Sequence, residues 1–123
     1  MSTDGYNVGA VTVTFRTEPA RAQVGQTVTL RLRVVNNAGQ ATDLTFPSGQ
    51  RYDYWVTGEG GEVWRWSEDM FFTQAITTET VEAQAGLSFP ESWTPNSSGT
   101  YTAHAVLTAD GYDRELTGEV VVR

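Results

Sequence analysis

The feature that most constrains this chain is an alternation of apolar and polar residues that recurs in run after run. Val11, Val13 and Phe15 alternate with Thr12, Thr14 and Arg16. Val28, Leu30, Leu32 and Val34 alternate with Thr29, Arg31 and Arg33 until Asn36-Asn37-Ala38-Gly39 stops the run. Tyr101, Ala103, Ala105 and Leu107 alternate with Thr102, His104, Val106 and Thr108, and Leu116, Gly118, Val120 and Val122 form one face of the last run. Successive side chains of a strand point to opposite faces, so each run reads as a half-buried strand with one face for a core. No stretch of helical length carries a 3.6-residue apolar period. Short strands separated by turn signals lead to the expectation of an all-β fold, an antiparallel two-sheet immunoglobulin-like β-sandwich of about seven to nine strands. Cysteine is absent, so any such likeness is architectural and carries no inter-sheet disulfide.

The middle of the chain predicts a hairpin. Residues 52–57 (YDYWVT) and 62–67 (EVWRWS) are β-prone runs joined by Gly58-Glu59-Gly60-Gly61, whose glycines can supply the positive φ angles of a tight turn. Alternation places Trp64 and Trp66 opposite Val63 and Arg65, and Tyr52, Tyr54 and Val56 opposite Asp53 and Trp55. With aromatics on both faces, the pair is expected at the centre of a sheet or beneath a loop, because contiguous exposed aromatic surface is uncommon on a monomer. Leu44 and Phe46 predict a short strand ended by Pro47-Ser48-Gly49, and Leu87, Phe89 and Trp93 supply further apolar anchors.

A length of 123 residues fits one domain spanning 1–123, with residues 1–7 expected as a flexible tail. The absence of cysteine suits a reducing compartment. All eight basic residues are arginine against fifteen carboxylates, a net charge of -7 whose field repels phosphate backbones and anionic lipid. No run approaches the ~20 apolar residues of a membrane span. The expectation is therefore no nucleic acid, no membrane and a monomer.

Catalytic chemistry finds little support. The single histidine, His104, lies mid-strand and reads as a hydrogen-bonded strand residue, with no cysteine or second histidine to complete a dyad or a His-rich metal site. No G-x-S-x-G elbow occurs. Carboxylates such as Glu62, Glu68 and Asp69 carry no weight as a glycosidase pair without a cleft. Asp4-Gly5 and Asp110-Gly111-Tyr112-Asp113 lack the spaced ligands of a calcium loop and read as turns. The chain is expected to be no enzyme and to hold no cofactor and no metal.

Residues 46–76 are more specific than composition alone would produce. The run Phe46-x-Ser48-Gly49-Gln50-x-Tyr52-Asp53, the glycine turn, Val63-Trp64-Arg65-Trp66-Ser67 and then Met70-Phe71-x-x-Gln74-Ala75 resembles the signature of the BsuPI-type intracellular proteinase inhibitors. Asn36-Asn37, Gly86, Trp93 and Gly99-Thr100-Tyr101 extend the resemblance over nearly the whole chain, and Phe72 departs from the signature. The resemblance implies a cytoplasmic β-sandwich whose partner is a subtilisin-like intracellular serine protease.

Under that implication the candidate protease contacts are Ser67, Glu68, Asp69, Met70, Phe71, Phe72, Thr73 and Gln74, where an acidic turn precedes three bulky apolar residues. Subtilisin-like enzymes favour large apolar side chains in the primary specificity pocket. The same cluster can instead plug the space under the sheets; Phe71 is assigned to the plug ahead of contact, while Met70 and Phe72 are open to either role. A second candidate surface is Ser48, Gly49, Gln50, Arg51, Tyr52 and Asp53, whose polar groups can meet a partner or, the favoured reading, bond their own backbone. The alternative function is a non-inhibitory interaction or structural module that docks through an aromatic face, which requires an exposed tryptophan cluster.

Overall fold

Each alternating run becomes a strand with its apolar face buried. The computed structural model describes residues 2–123, with side chains from Asp4 onward. Among the described residues there are eleven strands and no helix. In chain order they are β1 (Ser2–Val8), β2 (Val11–Glu18), β3 (Arg21–Ala22), β4 (Val28–Asn36), β5 (Thr42–Phe46), β6 (Tyr52–Gly58), β7 (Gly61–Arg65), β8 (Thr77–Val81), β9 (Gly86–Trp93), β10 (Gly99–Leu107) and β11 (Leu116–Val122). They form a four-stranded sheet in the order β1-β2-β4-β9, a five-stranded sheet β3-β11-β10-β6-β7, and a two-stranded sheet β5-β8. All pairs are antiparallel except β3 with β11, which is parallel.

One core serves all three sheets. Val13, Phe15, Leu30, Leu32 and Val34 enter it from the first sheet, Tyr54, Val56, Ala103, Ala105, Leu107 and Val120 from the second, and Leu44 and Phe46 from the third. The rings of Phe15 and Tyr54 stack at 5.9 Å between β2 and β6. Side chains of this size contribute roughly 1.5–3 kcal/mol each on full burial, so the core supplies the main favourable term. The Tyr54 hydroxyl also joins the two large sheets: it accepts from the Leu32 amide at 2.7 Å and donates to the Phe89 carbonyl. Leu32 and Phe89 are register partners in β4 and β9, so the phenol is inserted into that ladder.

The strand count exceeds the expected seven to nine, and the pairing is not wholly antiparallel. Residues 2–7 of the expected tail belong to β1, paired along its length with β2; Met1 lies outside the described residues. Asp4-Gly5, read as a turn, sits within that strand. Two contacts secure β1 to the far end of the chain: the Tyr6 hydroxyl donates to the Tyr112 carbonyl in the β10–β11 connection at 2.5 Å, and Asp4 Oδ2 accepts from the Thr117 amide of β11 at 3.0 Å. Gly9, with φ 57°, makes the two-residue turn between β1 and β2 possible. Of the aromatic hairpin, β6 is interior to its sheet and β7 is an edge strand.

Candidate functional site

The loop between β7 and β8 leaves the edge of the five-stranded sheet and enters the two-stranded one, so its two ends are held by different sheets. At its start, Asp53 of β6 is only 7 % exposed. Its carboxylate accepts from Arg65 Nη1 at 2.7 Å, the Ser67 hydroxyl at 2.8 Å, the Ser67 amide at 3.3 Å and the Tyr54 amide at 2.9 Å. A buried carboxylate satisfied by several donors is a strong local anchor. Arg65 also bonds Glu62 at 3.0 Å and lies 4.6 Å over the Trp55 ring. Burial alone would lower the Arg65 guanidinium, yet its bonds to Glu62 and Asp53 hold it above its ordinary range.

A tight turn follows, with the Met70 amide donating to the Ser67 carbonyl at 3.1 Å and Asp69 at φ 67°. A non-glycine residue in the left-handed region is uncommon, and aspartate is among the residues that tolerate it best. Beyond the turn, Phe71 is 98 % exposed and Met70 44 %. Phe72 turns back: its ring lies 5.8 Å from that of Trp66, which in turn stacks on Tyr52 at 4.5 Å. The plug assigned to Phe71 is therefore corrected, and Phe72 is the residue folded against the scaffold. Of the two rings it is that of Phe72 that meets Trp66, while that of Phe71 is left in solvent.

The far end of the loop is fixed by residues 48–50. The Gly49 amide donates to the Thr73 carbonyl at 2.8 Å, and Thr77 Oγ1 donates to the Ser48 carbonyl at 3.1 Å. A Cβ on Gly49 would come within 2.6 Å of Thr73 Oγ1, so the close approach requires glycine. Within the turn, the Gln50 amide donates to Ser48 Oγ at 3.1 Å and Gln50 Nε2 to the Tyr52 carbonyl at 3.0 Å. Arg51 pairs with Glu79 at 2.5 Å, and the Tyr52 hydroxyl bonds Glu91. The two candidate segments thus meet at three places: Asp53 with Ser67, Tyr52 through Trp66 with Phe72, and Gly49 with Thr73. Glu68, Asp69, Met70, Phe71, Thr73 and Gln74 are exposed, whereas Ser67 and Phe72 are half-buried. Ile76, which sequence reasoning did not single out, is 74 % exposed just before β8.

His104 is stacked on Trp55 with ring centres 5.1 Å apart, bonded to Thr57 Oγ1 at 2.9 Å and facing Glu115 at 3.2 Å. None of the four tryptophans is exposed: Trp93 is buried, and Trp55, Trp64 and Trp66 are half-covered. Among the described residues no group of three or more metal-binding side chains is placed to hold an ion. Among them, too, no helix is long and apolar enough to cross a membrane.

Solved structures share the fold at low identity. The chain superposes on a cycloisomaltooligosaccharide glucanotransferase of Paenibacillus sp. with TM-score 0.56 and 19 % identity, covering 88 % of this chain and 13 % of that one. For the sporulation control protein Spo0M of Bacillus subtilis the values are 0.56 and 15 %, covering 94 % and 50 %. For the alkylpurine DNA glycosylase AlkC of Pseudomonas fluorescens they are 0.51 and 13 %, covering 98 % and 30 %. The chain spans at most half the length of these three proteins, and the likeness is one of fold. No curated protein matches the chain in sequence. The family comparison reaches further, because its match takes in the hairpin, both anchoring segments and the loop they hold: residues 15–112 fit the BsuPI model, described as intracellular proteinase inhibitor, and the chain belongs to that family.

Proposed function

We propose that this chain is a non-enzymatic, cytoplasmic inhibitor of a subtilisin-like serine protease, a monomeric immunoglobulin-like sandwich that fills the substrate cleft with residues 67–74. The observation that carries the reading is Phe71, 98 % exposed on a loop tied down at both ends. A loop ordered before binding gives up little conformational entropy on docking, so the burial of its apolar tip is retained as affinity. Main-chain groups beyond the turn add hydrogen bonds of the kind used by edge strands. The pocket residue is Phe71, in place of Met70 or Phe72, since Phe72 is already committed to Trp66 and Met70 is less than half as exposed as Phe71.

The rival module that docks through tryptophan gains nothing from this geometry. Trp55 is covered by Arg65 and His104, and Trp66 by Tyr52 and Phe72. Titration of the domain against a subtilisin and a trypsin-like protease tests the proposal. Stoichiometric loss of subtilisin activity, without turnover of the domain, is expected. Full peptidase activity at a molar excess of domain over both enzymes overturns it.

A further inference from the structure

We infer that the Phe71–Phe72 peptide bond is the bond presented to the protease, and that the fold holds both of its sides so that cleavage is reversible. This rests on the inhibitory reading above and adds a chemical fate for the loop. On the amino side, Ser67 is fixed by Asp53 at 2.8 Å and the turn is closed by the Met70 amide on the Ser67 carbonyl. On the carboxyl side, the Phe72 ring rests on Trp66, and the Thr73 carbonyl accepts from Gly49 at 2.8 Å. The residue after the bond is therefore held against the flank of the turn at Trp66, and the next one by a different part of the chain at Gly49.

In the reaction the serine hydroxyl of the protease attacks the Phe71 carbonyl carbon and gives its proton to the enzyme's general base. The C–N bond to Phe72 breaks, the Phe72 nitrogen takes that proton and becomes a free amine, and Phe71 is left as an ester of the serine. With an ordinary substrate the amine departs and water cleaves the ester. Here Phe72 stays beside it, and the amine attacks the ester to restore the peptide bond and release the serine hydroxyl. A group held in place competes with water because effective molarities of well-oriented intramolecular reactions reach on the order of 10⁵ M or more.

Topology adds a second restraint. A cut between 71 and 72 divides the strands into β1–β7 and β8–β11, and these interleave: β8 pairs with β5, β9 with β4, and β10 with β6. The fragments cannot separate without dismantling all three sheets.

The test is prolonged incubation of the wild-type domain with a subtilisin, following residual peptidase activity and the mass of the domain. Sustained inhibition is expected, with a single cut at 71–72 appearing slowly and the purified cut form returning to intact chain on addition of fresh enzyme. Gly49→Ala, which forces Thr73 away, and Trp66→Ala, which frees Phe72, are expected to inhibit at first and then be consumed about a hundredfold faster, cut at the same bond. Melting temperatures measured alongside show that each variant is folded during the assay. Sustained inhibition with no cut at 71–72, or cleavage elsewhere, overturns the inference and leaves the inhibitory function standing. Absence of inhibition by the wild type removes both.

Discussion

Phe71 and Phe72 are neighbours of identical chemistry with opposite positions, one in solvent and one on Trp66. Phe71→Ala is expected to weaken inhibition about ten- to a hundredfold, the equivalent of roughly 1.5–3 kcal/mol of pocket burial, with the melting temperature unchanged. Paired measurement of inhibition constant and melting temperature checks this, and a fall in both would make Phe71 structural. Asp53→Asn keeps the shape but removes the charge that Arg65 and Ser67 share. A loss of about 1–3 kcal/mol is expected from the denaturant midpoint. At this scale the sequence made both segments visible as unusual residues but not the partnership between them. Asp53 and Ser67 are brought together only by the hairpin register, and three bulky residues in a row do not declare which one faces inward until Trp66 and the Asp69 turn are placed.

The strands divide by how their order arises. β2, β4, β10 and β11 are written in the alternation itself, because each buries one face against the common core. β1 is not, since among its described side chains only Tyr6 is buried and its register comes from main-chain pairing with β2. Nor is β3, whose two residues pair with the distant end of β11. Such elements depend on neighbours that a local pattern does not contain, and they account for the strand count above nine. The same reasoning predicts where a single atom matters to a ladder. Tyr54→Phe keeps the ring but leaves the Leu32 amide and the Phe89 carbonyl without the hydroxyl between them. A cost of about 1–3 kcal/mol is expected in equilibrium unfolding, with little change in inhibition.

For the molecule as a whole, the shared core links its stability to alkaline pH. Burial, with Tyr112 and Asp113 nearby, pushes the Tyr6 phenol up to about 12. Burial likewise raises Tyr52, aided by Glu91, and Tyr54. Each is therefore neutral in the fold at a pH where the unfolded chain, near 10, ionises. The contribution of these groups is fully present below about pH 10 and is lost as pH rises through the raised folded values. Absorbance of phenolate and circular dichroism, followed together, are expected to show late ionisation that coincides with loss of sheet. Early ionisation of Tyr6, Tyr52 and Tyr54 with the sheets intact would contradict it.

The division of labour along the loop has a consequence for how such a domain changes over generations. The loop is held through residues 66, 67, 72 and 73 and through the Met70 amide that closes the Asp69 turn, while the side chains of Glu68, Asp69, Met70 and Phe71 face solvent. Asp69 keeps the turn, and the side chains at 68, 70 and 71 form a cassette. Under the inhibitory reading proposed above, exchange of the residue at 71 is expected to alter which enzyme is met without disturbing the sheets, so target choice would drift or be engineered independently of foldability, with Gly49, Asp53 and Trp66 as the fixed frame into which new sequences are inserted.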